Sequence, residues 1–187
     1  MVKVRDGNRV VLLVVDVQVG VMHGVWDAPR IIRNVALAVA KARAQEIPII
    51  WVRHHDEELV RDTPEWQLVP ELVPAVGEVL LEKQFNSSFE QTKLEEMLAE
   101  MGATHVVLVG AATNWCIRAT AYAALDRGYD LTLVSDAHTT ETITLADGQM
   151  IPAADIVREL NIAMTWLSYP ERSNRTVTAA ELNFIQD

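Results

Sequence analysis

Hydrophobic and polar positions in this chain divide it into short, continuous apolar runs and longer stretches with helical spacing. The run VVLLVVDV at residues 10–17 is apolar except for its aspartate, as expected for a strand that is buried on both faces. Similar runs predict further strands at residues 47–53, 77–83, 104–110 and 129–136, and NIAMTWLS at residues 161–168 indicates a last strand.

Helical spacing predicts four helices between these strands. The longest spans residues 29–46, where apolar residues recur at helical intervals behind an initial proline. The other three cover residues 89–101 with Ser87 or Ser88 as N-cap, residues 116–127 ended by Gly128, and part of residues 147–160. Residues 54–77 contain three of the seven prolines and predict a long loop with a short helical turn.

This alternation of elements predicts the fold class. Strands that are buried on both faces and alternate with helices form a mostly parallel, doubly wound sheet covered on both sides, a three-layer α/β/α fold. The 187 residues fit one domain, 1–187, without internal repeats. The polar tail at residues 169–187 has only Val177, Leu182 and Phe184 to bury, and we expect it to pack on its own domain or on a second subunit.

Composition narrows the classes of function. A net charge of −10 disfavours binding to nucleic acid, because phosphate recognition needs a basic face. The first apolar run is too short for a signal sequence or a membrane span. The single cysteine excludes an internal disulfide and a thiolate zinc site. We therefore expect a cytoplasmic protein whose partner is a small molecule, neither a membrane nor a nucleic acid.

Three reactive residues follow strand ends, where ligands bind in such sheets. Asp16 closes the first strand, Lys83 the third, and Cys116 follows the fourth after a short turn. A helix start and a lysine both favour a thiolate, so we expect an activated thiol that alkylating agents label quickly well below pH 8. Asp16 is suited to take up and return a proton. A thiol nucleophile and a proton carrier together indicate acyl transfer through a thioester.

Each residue also has a simpler explanation. A lone buried cysteine is commonly just a small hydrophobic residue. Asp16 could cap a neighbouring loop, and Lys83 could be a solvated charge. Only their joint placement at one edge of the sheet supports catalysis.

Three stretches together resemble the isochorismatase-like cysteine hydrolase superfamily. They are LLVVDVQ with Asp16, EKQFNSSFEQTKLEEML with Lys83, and VVLVGAATNWCIRATAYAALDRGYDLTLVSDA with Cys116. They occur in the family's order and cover roughly residues 10–140. The stretches CIRATAYAALDRGYDLTLVSDAHTT and HHDEELVRDTPEWQLVPEL are similar to the branch that contains the streptothricin hydrolases, which open a lactam.

The resemblance implies an Asp16–Lys83–Cys116 triad on a three-layer α/β/α fold. It also implies a cis peptide between Ala111 and Ala112, and an oxyanion hole formed by the backbone N–H groups of Ala112 and Cys116. Many members have threonine where Ala112 stands, but a backbone donor does not depend on the side chain. Finally, it implies a homo-oligomer, a dimer or a tetramer.

The cysteine also distinguishes activities within the superfamily. Members that hydrolyse the vinyl ether of isochorismate typically lack it, so its presence favours cleavage of a C–N bond in a carboxamide, carbamoyl group or lactam. Two alternatives stay open. One is an isochorismatase-type ether hydrolase in which Cys116 is a bystander, and the other is a binding module without catalysis.

Residues near the triad in sequence are candidates for the substrate pocket. They are Gln18, Trp26, His54, Phe85, Asn114 and Trp115. Nicotinamidases of the superfamily bind a divalent metal through an Asp-x-His element, for which this chain has RHHDEE. His54 and His55 are adjacent and face opposite ways on an extended chain, so we expect neither a metal nor another cofactor.

Other catalytic motifs are absent from the sequence. It contains no dinucleotide or P-loop glycine motif and no G-x-S-x-G nucleophile elbow. Ser135, Asp136 and His138 include the residue types of a serine triad, but they lie too close along one strand end to converge. For Asp136 we expect a structural role in anchoring the loop.

Overall fold

A six-stranded parallel sheet lies between two layers of helices in the computed structural model, which describes residue 5 and residues 7–184. The sheet has the order β3-β2-β1-β4-β5-β8, and this confirms the predicted α/β class. A small antiparallel hairpin, β6 and β7, stands apart. The strands are β1 (Arg9–Val15), β2 (Ile49–His54), β3 (Val79–Lys83), β4 (Ala103–Ala111), β5 (Asp130–Thr139), β6 (Ile143–Thr144), β7 (Met150–Ile151) and β8 (Asn174–Val177).

Among the described residues, five α-helices and one π-helical turn connect the strands. They are α1 (Val19–Met22), α2 (Ala28–Ala44), α3 (Leu94–Glu100), the π-helical turn Thr113–Ile117, α4 (Arg118–Asp126) and α5 (Ala153–Trp166). Helix α2 packs on one face of the sheet, and α3, α4 and α5 pack on the other. Within the described part of the chain, none of these helices has the length and apolar character to span a bilayer.

Strand β1 shows why the sheet needs two helical layers. Its residues alternate between the faces, so Leu13 and Val15 pack toward α3–α5 while Leu12 and Val14 pack toward α2. All four side chains are fully buried. A strand that is apolar on both sides is stable only when both faces are covered, which the two layers achieve.

Helix α2 covers its face with one apolar stripe. The stripe recurs at intervals of three and four residues and comprises Ile31, Val35, Ala38, Val39 and Ala42, all of them buried. Pro29 lies in the first turn, where a missing backbone N–H costs no hydrogen bond. Lys41 and Arg43 lie in the last turn, where positive charge is favourable.

Two predicted elements are wrong. Residues 161–168 are not a strand, because α5 continues to Trp166 with Leu160 and Met164 buried one turn apart. The helix predicted from residue 89 begins at Leu94. Ser88 does not cap it, since its side chain and backbone N–H pair with the Thr120 hydroxyl in the interior.

The tail provides the strand that residues 161–168 do not. Strand β8 pairs in parallel with β5, with Val177 opposite Val134. Leu182 and Phe184 are then buried in the cluster on the α2 face. The outermost parts of the predicted domain, at both termini, and residues 185–187 of the tail lie outside the described residues.

Candidate active site

The register of the central strands brings the predicted residues together. Val15 of β1 lies opposite Gly110 of β4 on one side and Val52 of β2 on the other. Lys83 is the last residue of β3 and pairs with His54. Strands β2 and β3 lie on one side of β1, and β4 and β5 lie on the other. The carboxyl ends of β1 and β4 therefore form the switch point where such sheets bind ligands.

Gly110 allows the close approach of β1 and β4 at this edge. Its φ is +124°, a region that strains any residue with a side chain, and a Cβ atom would lie 1.9 Å from the carbonyl oxygen of Val15. Asp16 comes directly after that carbonyl, and Asp16 itself has a left-handed φ of 52°. The sharp turn at each strand end directs both chain segments into the same space.

Cys116 lies in the π-helical turn that follows β4 and continues into α4. The peptide bond between Ala111 and Ala112, at the start of the turn, is cis. Helical structure already begins at Thr113, three residues before the predicted helix start at Cys116. The thiol is buried, with 9% of the residue exposed.

Lys83 connects the members of the predicted triad. Its Nζ atom lies 2.7 Å from Oδ2 of Asp16 and 3.2 Å from Sγ of Cys116. A third contact, of 3.3 Å, reaches Nδ1 of His54. An ammonium group has three N–H donors and no acceptor, so these contacts use all three donors. One buried cation thus holds a carboxylate, a thiol and an imidazole around itself.

The electrostatics of this cluster correct one expectation. Burial lowers the pKa of Lys83, but the Asp16 carboxylate and the contacts with Asp16 and Cys116 outweigh that effect and raise it overall, so Lys83 is charged. Burial, together with the Asp16 carboxylate, raises the pKa of Cys116 to about 12, although Lys83 acts in the opposite direction. This balance acts against the expected resting thiolate, because burial and the Asp16 charge both favour the protonated thiol.

Asp16 is the acceptor to which that proton can go. It is 1% exposed, and its Oδ1 atom has no hydrogen-bond partner among the described residues, although Oδ2 pairs with Lys83. After burial, the negative charge of this carboxylate is the largest effect that raises the pKa of Cys116. A buried carboxylate oxygen without a partner is costly, and that cost falls when the oxygen accepts a proton.

His54 lies behind Lys83, and its contacts decide whether a metal fits. Since Lys83 can only donate, Nδ1 of His54 accepts, and Nε2 then donates to Oδ2 of Asp56 at 2.9 Å. His55 points elsewhere and accepts from Arg61 at 2.7 Å. Both ring nitrogens of His54 are occupied, and no group of three acidic, histidine or cysteine ligands occurs in the described part of the chain. This donor set does not fit a divalent cation.

A cavity of about 420 Å³ opens beside the π-helical turn. Asn114 and Trp115, both predicted for the pocket, line it together with Ala112, and the Trp115 residue is 57% exposed. Asn114 is held by a hydrogen bond of 2.6 Å from the hydroxyl of Thr140. A larger cavity of about 580 Å³ opens at the amino ends of the strands, away from the thiol.

The other predicted pocket residues have different roles. Gln18 is fully buried, and its amide bonds only to backbone groups of His54 and Trp66, so it fixes the scaffold and offers nothing to a substrate. The ring of Trp26 lies 5.2 Å from the Arg30 guanidinium, outside the lining of the cavity. Phe85 is 43% exposed and does not line it either.

Sequence reasoning missed two groups of residues. Asn86, in the segment after Lys83, has its Oδ1 atom 3.9 Å from Sγ of Cys116. Thr113 contacts His138 in the interior, and His138 contacts Asn161. The polar letters N-S-S at residues 86–88, within the stretch that carries Lys83, were a signal for the first group. Asp136, in contrast, accepts a hydrogen bond from the backbone of residue 179, so it anchors the tail as well as its own strand end.

Comparison with known proteins gives a consistent result. The isochorismatase domain family matches residues 10–157. A streptothricin hydrolase from Streptomyces noursei is 34% identical over 151 residues, which cover 76% of this chain and 60% of that protein. Nicotinamidase 3 from Arabidopsis thaliana is 26% identical over 73% of this chain and 77% of its own length. The chain thus spans just over half the length of the streptothricin hydrolases it matches.

The fold has close counterparts among solved structures. The crystal structure of an isochorismatase from Pseudomonas putida KT2440 superposes with a TM-score of 0.83 at 28% identity. The superposition covers 95% of this chain and 93% of that one. The similarity therefore extends over nearly the whole length of both chains.

Proposed function

Because this chain belongs to the isochorismatase family, we propose that it is a cysteine hydrolase that cleaves a C–N bond of a small amide-like substrate. The observation that carries the proposal is the contact of one buried ammonium group, on Lys83, with both the Asp16 carboxylate and the Cys116 thiol. A nucleophile, a proton acceptor and a cation within one buried cluster form the minimum set for acyl transfer.

The first step follows from the protonation state of the cluster. Since the thiol is neutral at rest, Asp16 takes its proton as Sγ attacks the carbonyl carbon of the substrate. Lys83 stabilises the negative charge on sulfur before the C–S bond is complete. The backbone N–H groups of Ala112 and Cys116 are the proposed donors to the oxyanion that forms on the carbonyl oxygen.

The second step releases the nitrogen. The tetrahedral intermediate collapses, the C–N bond breaks, and Asp16 returns its proton to the leaving nitrogen, which leaves a thioester on Cys116. A water molecule then attacks the thioester carbon and gives one proton to Asp16. When the C–S bond breaks, that proton returns to sulfur, so the resting cluster is restored and the product is a carboxylic acid.

The size of the cavity beside the π-helical turn supports the proposal that the substrate is small. Its volume of about 420 Å³ fits a compact group, with the amide of Asn114 and the exposed ring of Trp115 as contacts. Its lining includes Ala112 but none of the triad, so the cavity suits the part of the substrate next to the bond that is cleaved. The names of the relatives, a streptothricin hydrolase and a nicotinamidase, support a lactam or a carboxamide as the bond that is cleaved. The cytoplasm is the proposed compartment, because the single thiol has to stay reduced.

Helix α5 supports the proposal that copies of the chain associate. Its outward face exposes 52% of Ile162 and 82% of Trp166, and the β6–β7 hairpin exposes 64% of Met150. Ile162 and Trp166 lie one helical turn apart, and neighbouring exposed apolar side chains of this size mark interaction surfaces in many proteins. A homo-oligomer would cover them.

The test is to trap the acyl-enzyme. The protein is incubated with a lactam, a primary carboxamide and an N-carbamoyl compound, and intact-protein mass spectrometry looks for a mass increase that peptide mapping places on Cys116. We expect an adduct and turnover with at least one of the three classes. Asp16→Asn should reduce the rate of adduct formation roughly 100-fold or more, and Cys116→Ala should abolish it.

Two results would contradict the proposal. Turnover that survives Cys116→Ala would make the cysteine a bystander, as in an ether hydrolase. A wild-type protein that binds these compounds without adduct or turnover would be a binding module. A separate control comes from labelling with iodoacetamide: Asp16→Asn should lower the pH midpoint of Cys116 labelling, because the carboxylate raises the pKa of the thiol.

A further inference from the structure

A buried chain of polar side chains starts at the turn that carries Cys116. The hydroxyl of Thr113 lies 2.9 Å from Nδ1 of His138, and Nε2 of His138 lies 3.0 Å from Oδ1 of Asn161. Thr113 and His138 are both fully buried. These hydrogen-bonded side chains thus join three elements, the π-helical turn, β5 and α5. Thr113, the first of them, lies three residues before the nucleophile.

The direction of each hydrogen bond follows from the contacts of Asn161, the residue farthest from the turn. The Nδ2 atom of Asn161 donates to the backbone carbonyl of Ser135 at 2.9 Å, so its Oδ1 atom is the acceptor facing His138. His138 must then carry its proton on Nε2, and its Nδ1 is an acceptor. The only remaining donor is the hydroxyl of Thr113. Every hydrogen bond in this chain therefore has one allowed direction.

The imidazole keeps this pattern over the range of pH in which the protein would work. Burial lowers the pKa of His138 to about 4, more than the Asn161 contact and the Asp136 charge raise it. His138 is consequently neutral, and Nδ1 stays available to the Thr113 hydroxyl. A neutral buried histidine with both nitrogens bonded is fixed in its ring orientation.

A second bond fixes the neighbouring residue of the turn in the same direction. The hydroxyl of Thr140 donates to Oδ1 of Asn114 at 2.6 Å. His138 and Thr140 lie two residues apart at the end of β5, so their side chains face the same side. Two consecutive residues of the turn, Thr113 and Asn114, are thereby held by one strand end.

We propose that Thr113 is a positioning residue whose hydrogen bond to His138, held in turn by Asn161, fixes the π-helical turn and so aims the Cys116 thiol at Lys83 and Asp16. The proposal rests on the proposed function, since it concerns the residue named there as nucleophile. The role of Thr113 differs from the catalytic roles, because its hydroxyl touches neither the substrate nor the reacting atoms.

The experiment compares three substitutions at two threonines. Thr113→Val keeps the side-chain shape and removes the donor, whereas Thr113→Ser keeps the donor. Thr132→Val is the matched control, because Thr132 is also fully buried on β5 and also bonds a histidine, His105, at 2.8 Å. Thr132 lies opposite Val107 of β4 and His138 opposite Gly110, so about 10 Å of sheet separates the two positions.

The readout is the rate at which iodoacetamide labels Cys116, the single thiol, between pH 7 and 12. If the turn loosens, the thiol loses burial, and its pKa falls from about 12 toward the ordinary 9.0. We expect Thr113→Val to label at least roughly tenfold faster than wild type at pH 8, with a lower pH midpoint. Thr113→Ser and Thr132→Val should label like wild type.

Three results would overturn the proposal. Labelling of Thr113→Val at the wild-type rate would mean that the hydroxyl does not position the turn. Equal acceleration in Thr113→Ser would mean that the donor is irrelevant. Equal acceleration in Thr132→Val, at a similar loss of melting temperature, would mean that general destabilisation is the cause.

A further variant keeps the test decisive if Thr113→Val does not fold. Asn161→Ala removes the far end of the chain on α5, and it should shift the labelling midpoint in the same direction by a smaller amount. An unchanged midpoint in that variant would also overturn the proposal. Failure of the proposed function is seen separately, because it is scored by acyl adducts and turnover in the wild-type protein and not by labelling ratios.

Discussion

Acid should destabilise this protein through His138, and the size of the effect can be worked out. Burial lowers its pKa from 6.5 to about 4 in the folded state, whereas the unfolded chain has the ordinary value. The unfolded state therefore binds a proton first as the pH falls, so His138 contributes stability above pH 6.5 that is lost toward pH 4. A difference of about 2.5 units, at ~1.4 kcal/mol per unit, amounts to about 3 kcal/mol. About 2 kcal/mol of this is lost between pH 7 and pH 5.

The assay is urea unfolding followed by tryptophan fluorescence at pH 7, 6 and 5, for wild type and His138→Gln. Glutamine does not titrate, so the free-energy difference between the two proteins should shrink by about 2 kcal/mol from pH 7 to pH 5. His23→Gln replaces an exposed histidine in the same way and controls for the loss of a histidine as such. A His138→Gln difference that is constant across this range would refute the reasoning.

Three further predictions concern the site, the sheet and the surface. Lys83→Met removes the cation that lowers the pKa of Cys116, so the pH midpoint of iodoacetamide labelling should rise; an unchanged midpoint would argue against their contact. Gly110→Ala would place a Cβ atom 1.9 Å from the carbonyl oxygen at the end of β1, and unfolding in urea should show a loss of about 3 kcal/mol or more. Gly77→Ala, with a similar φ of +91° but no atom within 4 Å, should lose only about 1 kcal/mol. Trp166→Glu should convert an oligomer to a monomer in sedimentation velocity; a wild-type protein that is already monomeric would contradict the proposed association.

The position of the candidate site at the carboxyl ends of the strands was predictable because its signals are local. Each of β1, β3 and β4 is an apolar run that ends at a polar or small residue, and parallel strands bring such ends together. Asp16 and Lys83 could therefore be placed near Cys116 before any distance was known. The two-sided burial of β1 likewise required helices on both faces.

The remaining features depend on contacts between distant residues. In the sequence, NIAMTWLS fits a strand as well as a helix, and only the burial of Met164 beneath Leu160 decides for α5. The pKa of Cys116 could not be predicted either, because position at a helix start indicates a thiolate while burial, seen only in the structure, acts against it. The Thr113–His138 bond joins residues 25 positions apart and has no local signature.

Both open edges of the sheet are short and charged, which limits how copies of this protein can meet. At one edge, β3 has five residues, and its Glu82 is paired with Arg53 and Arg61. At the other, the tail strand β8 has four residues, and its Arg175 donates to Thr132. Short edges with charged side chains resist the addition of a foreign strand, the route by which sheets merge into larger aggregates. By ending its sheet this way, the chain leaves its helical faces as the surfaces suited to assembly and protects itself against amyloid-like growth.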